Sequence, residues 1–138
     1  MRGRKPAVTA ADAALSRTPS MPTTLAPEMA REWRDIAKDL VSRRLLTRSS
    51  LPALETLVGA LWYARQCREA LAEHGPVVKS EKGIIRPNPA AAMLAKQNET
   101  IARLSYEMGV TAAGRNLPTI REQEGAHNDK DAFSEFDL

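Results

Sequence analysis

Residues 87–115 read PNPAAAMLAKQNETIARLSYEMGVTAAGR, a helix marked at both ends. Asn88 is a favourable N-cap, and Pro89 suits the first helical position, where its missing N–H is not needed. Ala90, Met93, Leu94, Ile101, Leu104 and Met108 recur mostly three or four apart, with a polar break at Gln97 and Asn98. That spacing gives one buried face, so Met93, Ile101, Leu104 and Met108 are expected in a core or a subunit interface. Gly109 stands where a left-handed C-cap belongs, and Thr111 can cap a short turn through Arg115.

Working outward, the same punctuation recurs upstream. Gly75-Pro76 ends a preceding helix. Val77-Val78 and Ile84-Ile85 are β-branched pairs around Lys79–Gly83, which predicts a β-hairpin over 77–86 with Gly83 in the turn. A lone two-stranded hairpin is marginal, so it is expected to pack on the helices or on a neighbouring subunit. Before Gly75, Leu51, Leu54, Leu57, Val58, Leu61, Trp62 and Leu71 mark a helix reaching about His74. Thr47, Ser49 and Ser50 are alternative N-caps for it, and Pro52 falls in its first turn. Its apolar face is wider than one partner within the chain needs, which points to Leu54, Val58, Leu61 and Trp62 as an oligomer interface.

A first helix is predicted from about Pro27 to Arg43. Met29, Trp33, Ile36, Ala37 and Leu40 form its stripe, and Arg43 and Arg44 sit at its C-terminal end, where cations are favoured. The fold class is therefore mainly α, with three principal helices and a small β-hairpin between the second and third. The domain reading is a flexible basic arm over 1–24, a helical core and oligomerisation domain over 25–118, and an acidic flexible tail over 119–138.

Charge divides along the same lines. Residues 1–50 carry ten Lys/Arg and five Asp/Glu, residues 51–118 eight and six, and residues 119–138 two and six. The basic front suits a polyanion such as DNA or RNA. Arg2-Gly3-Arg4-Lys5-Pro6 resembles an arm that enters an A·T-rich minor groove, where slender cations fit a narrow electronegative channel. The acidic end, Asp131–Leu138, embeds Phe133, Phe136 and Leu138 among carboxylates and reads as a short motif that folds on a partner.

The chemistry the sequence lacks narrows the function. No GxxxxGK[ST] loop, HExxH, CxxC pair or GxSxG elbow occurs, and no carboxylate pair suggests acid–base work. Cys67 is the single cysteine, and His74 and His127 lack ligand spacing, so no metal or other cofactor is expected. No signal peptide and no run of about 18 apolar residues is present, which reads as an intracellular, soluble chain. These absences favour a binding module over an enzyme.

Arg2–Pro6, Leu25-Ala26-Pro27 before a helix with Trp33, Leu45-Leu46-Thr47, Gly75, the hairpin, Asn88-Pro89 and Gly109–Arg115 occur in an order that resembles the P27 family of phage terminase small subunits. The resemblance covers about residues 2–118 and departs from the pattern at Val110 and Ala112, where Leu and Pro are usual. It implies a non-catalytic subunit that recognises double-stranded viral DNA and regulates the ATPase/nuclease large subunit. It also implies a ring of about eight to ten copies, working in the host cell cytoplasm rather than in the virion. On that reading Arg2, Arg4, Lys5, Arg43, Arg44 and Arg48 are expected to contact DNA. Phe133, Phe136 and Leu138 are expected to dock on the large subunit. The alternative is a small dimeric DNA-binding regulator in which the first two helices form a helix-turn-helix, whose turn would be three or four residues.

Overall fold

The computed structural model describes residues 14–111. A 3₁₀ turn, Pro27–Met29, leads into α1, Ala30–Ser42. A second 3₁₀ turn, Arg48–Ser50, leads into α2, Leu51–His74. Strands β1, Val77–Lys79, and β2, Ile85–Pro87, precede α3, Pro89–Glu107. The chain is mainly helical, with the expected small antiparallel hairpin between the second and third helices.

The α1 stripe forms as its spacing requires. Met29, Trp33, Ala37 and Leu40 are buried and meet Leu46, Leu54 and Val58. Leu40, Leu46, Leu54 and Val58 are wholly enclosed, and each such side chain contributes roughly 1.5–3 kcal/mol by leaving water. Residues 14–26, most of which the sequence places in the basic arm, run as a strap with bends and a turn over this core. Leu15 N donates to Leu46 O at 2.8 Å, and Ala14 bridges Thr47. The Trp33 indole N–H donates to Pro19 O at 2.9 Å, while Leu15, Met21 and Leu25 cover the core edge. The physical cause is the tryptophan: a buried indole N–H needs an acceptor, and a passing backbone carbonyl supplies it.

Helix α2 is 24 residues long, about 36 Å. Ser50 Oγ accepts from Thr47 N at 3.0 Å in a capping box. The breadth of its apolar surface has a cause within the chain. Leu54 and Val58 join the α1 core, while Leu57, Ala60, Ala64 and Cys67 are also buried. Helix α3 runs back antiparallel along α2. Ala60, Ala64 and Cys67, spaced four and three apart, are small enough for a close helix pairing.

Asn88 joins three elements. Its Oδ1 accepts from Ala90 N at 3.0 Å as the α3 N-cap, its Nδ2 donates to Gly75 O at 2.9 Å, and its N–H donates to Pro76 O at 2.8 Å. The hairpin pairs Val77 with Pro87, Val78 with Arg86 and Lys79 with Ile85. Gly83 supplies a positive φ of 78° in the turn. Val78 is half-buried, but Val77, Ile84 and Ile85 are 52%, 48% and 70% exposed. The expected packing on the helices is therefore slight. On α3, Leu104 is buried, Ile101 and Met108 are half-buried, and Met93 is exposed.

Two helix ends close against each other. In α3, Gly109 N reaches Tyr106 O at 3.1 Å and Val110 N reaches Ser105 O at 2.8 Å, the paired bonds of a Schellman cap. In α1, Arg44 N reaches Val41 O at 3.0 Å and Leu45 N reaches Leu40 O at 2.9 Å, the same pattern. Arg44 takes the left-handed position with φ 56°, the only non-glycine with positive φ among the described residues.

Candidate nucleic-acid interface

The inter-helix turn expected to meet DNA divides its three arginines. Arg43 Nη1 donates to Gly109 O at 2.7 Å, and its Nη2 pairs with Asp39. Its side chain is 23% exposed, so it braces the two caps from inside. Arg44 and Arg48 are exposed. Arg44 follows the end of α1, whereas Arg48 opens the 3₁₀ turn before α2. Residues 43–50 separate the two helices, longer than the short turn of a helix-turn-helix.

The expected oligomer surface also divides. Leu54 and Val58 have no accessible area left, because α1 covers them. That burial is complete within one chain. Leu61 and Trp62 remain half-buried. Trp62 packs at the core edge, and its indole N–H donates to Glu28 Oε2 at 3.2 Å. Arg2, Arg4, Lys5, Phe133, Phe136 and Leu138 lie outside the described residues, as does Arg115.

A second basic feature lies on α1. Arg34 and Lys38 border a cleft of ≈ 460 Å³ between the helix and strap residues 18–21, with Ala30 and Trp33 also lining it. Both cations are exposed, and neither has an ion pair among the described residues. Other cations do: Arg31 with Asp35, Arg43 with Asp39 and Arg65 with Glu32. The four-residue spacing of Arg34 and Lys38 beside the Trp33 stripe is the available signal, but the cleft depends on the strap docking.

Among the described residues no three His, Cys, Asp or Glu side chains gather as a metal-binding group, and no helix is long and apolar enough to cross a membrane. Buried Cys67 has no disulfide partner. Among the described residues the arrangement offers exposed cations and apolar surface.

Comparison with known proteins gives one family assignment. The model for "Phage terminase, small subunit" matches residues 30–124, a span that contains α1, α2, the hairpin, α3 and its cap. No curated protein and no solved structure gives a significant match. With more than half its length matched, including the junctions at Asn88 and Gly109, the chain belongs to the phage terminase small-subunit family.

Proposed function

We propose that this chain recognises double-stranded viral DNA at the start of genome packaging and presents it to the terminase large subunit, whose ATPase and nuclease it regulates. It supplies no catalytic residues of its own. The observation that carries this reading is the family match over residues 30–124. The ordered motif series from Arg2 to Arg115 supports placement in the P27 branch. DNA contact falls to Arg2, Arg4 and Lys5 in the basic arm and to the exposed Arg44 and Arg48, with Arg43 bracing the turn that presents them. The acidic motif with Phe133, Phe136 and Leu138 docks on the large subunit.

The working form is a ring of about eight to ten copies, in which symmetry multiplies weak contacts into avidity. Exposed Val77, Ile84, Ile85 and Met93 support self-association, as do the accessible parts of Leu61 and Trp62. Leu54 and Val58 enter that interface only as the packed layer beneath it. The ring acts in the host cytoplasm during infection and is not carried in the virion.

A salt titration of duplex binding tests the DNA assignment. Changing Arg44 and Arg48 to Ala should lower the slope of log K against log salt by about one for each lost phosphate contact. An unchanged slope removes both arginines from the interface. Deleting residues 133–138 should abolish the complex with the large subunit, and an intact complex would refute the tail assignment.

A further inference from the structure

The cleft between the strap and α1 has no ligand in the reading above. We infer that it seats a DNA phosphodiester, held by Arg34 and Lys38; this site rests on the DNA-recognition reading and adds to it a place where the backbone docks.

The fold sorts the cations of α1 into two groups. Arg31 lies 3.9 Å from Asp35 at the surface, and Arg43 at the helix cap pairs with Asp39. Arg34 and Lys38 are exposed and have no anionic partner among the described residues. One helical turn sets them side by side, and both line the same concavity. Among the described residues no carboxylate lines it. A cleft with one sign of charge and low-dielectric walls focuses the field and concentrates counter-anions. Trp33, Met21 and Ala30 provide such walls.

The strap contributes Thr18 and Ser20. Hydroxyls, guanidinium and ammonium groups are common partners of phosphate oxygens. Trp33 is not free to stack on a base, because its ring is buried and its N–H is held by Pro19 O. The cleft therefore fixes register on the backbone and carries no base readout. An acidic aromatic peptide is the rival occupant. It would need an open face to stack its ring on, and the Trp33 ring is buried with its N–H held by Pro19 O. A phosphodiester needs no such face, because the Arg34 and Lys38 cations and the Thr18 and Ser20 hydroxyls that line the cleft can meet its oxygens.

The test measures binding of the full chain to a short duplex across a salt series. Wild type is compared with the Arg34→Gln, Lys38→Gln double variant and with Arg31→Ala. All are first checked for equal melting temperature, which exposed positions should preserve. The double variant should bind at least about tenfold more weakly, with the salt slope lower by about one per cation for each engaged protomer. Arg31→Ala should stay within about twofold. Wild-type slope and affinity in the double variant would overturn the site while leaving DNA recognition standing. If wild type itself fails to bind duplex, the DNA reading falls and the site falls with it. A synthetic peptide of residues 131–138 that binds wild type but not the double variant, with duplex affinity unchanged, would assign the cleft to the acidic segment and overturn the inference.

Discussion

Arg43 and Gly109, 66 residues apart in the chain, are joined by a 2.7 Å hydrogen bond from the guanidinium Nη1 to the backbone oxygen. The contact ties the C-cap of α1 to the C-cap of α3 and fixes the turn that presents Arg44 and Arg48. With its second donor on Asp39, Arg43 acts as a two-pronged brace. Truncation to Ala should lower stability by about 1–3 kcal/mol, because a charged hydrogen bond to a part-buried carbonyl is lost. Lys should restore only part of that, since one ammonium cannot reproduce the planar fork. Urea denaturation of the three proteins checks the order wild type, Arg43→Lys, Arg43→Ala.

Gly109 is constrained by conformation and by space. Its φ is 74°, and a Cβ there would stand 3.1 Å from Leu45 Cδ1. Gly83 has a similar φ of 78°, with its nearest neighbour 3.7 Å away at the flexible Lys79 Cε. Ala at either site incurs the left-handed cost of roughly 1–2 kcal/mol. Gly109→Ala should cost more than Gly83→Ala, because Leu45 must also move. Equal losses in thermal unfolding would show that the contact with Leu45 carries no weight.

Asn88 should be the most sensitive polar position around the hairpin. It is buried, caps α3 and also holds Gly75 O. Asn88→Ala should cost about 1–2 kcal/mol through the cap alone. Asn88→Asp keeps an acceptor for Ala90 N but loses the donor to Gly75 O, so it should rescue the helix start and not the junction. Hydrogen exchange reads the difference: the Asn88 amide should open faster in both variants, and the Ala90 amide only in Asn88→Ala.

Arg44 sets stability against function. A non-glycine side chain at φ 56° is unfavourable at a cap that glycine normally fills. Relief of roughly 1–2 kcal/mol of left-handed cost outweighs the roughly 0.4–1 kcal/mol of unfolded-state freedom that glycine adds, so Arg44→Gly should raise stability modestly while weakening duplex binding. A variant both more stable and equally tight on DNA would remove Arg44 from the interface.

The parts legible in the sequence are those written locally. Asn88-Pro89 and Gly109 mark α3 within a few residues of its ends, and the Met29–Leu40 spacing marks the buried face of α1. The strap was not legible, because Pro19 O meets the Trp33 N–H through a bare backbone carbonyl that leaves no pattern. The brace was not legible either, since nothing near Arg43 in the chain indicates Gly109. The width of the α2 face is legible, but the partners of Leu54 and Val58 within the chain are not. Periodicity reports how much surface is covered and not by what.

The light-scattering mass of the full chain in solution tests most directly whether this DNA-recognition subunit works as a ring. A mass of about eight to ten chains is the predicted result. A stable dimer or monomer across the concentration range would contradict the ring, and a dimer would favour the regulator reading.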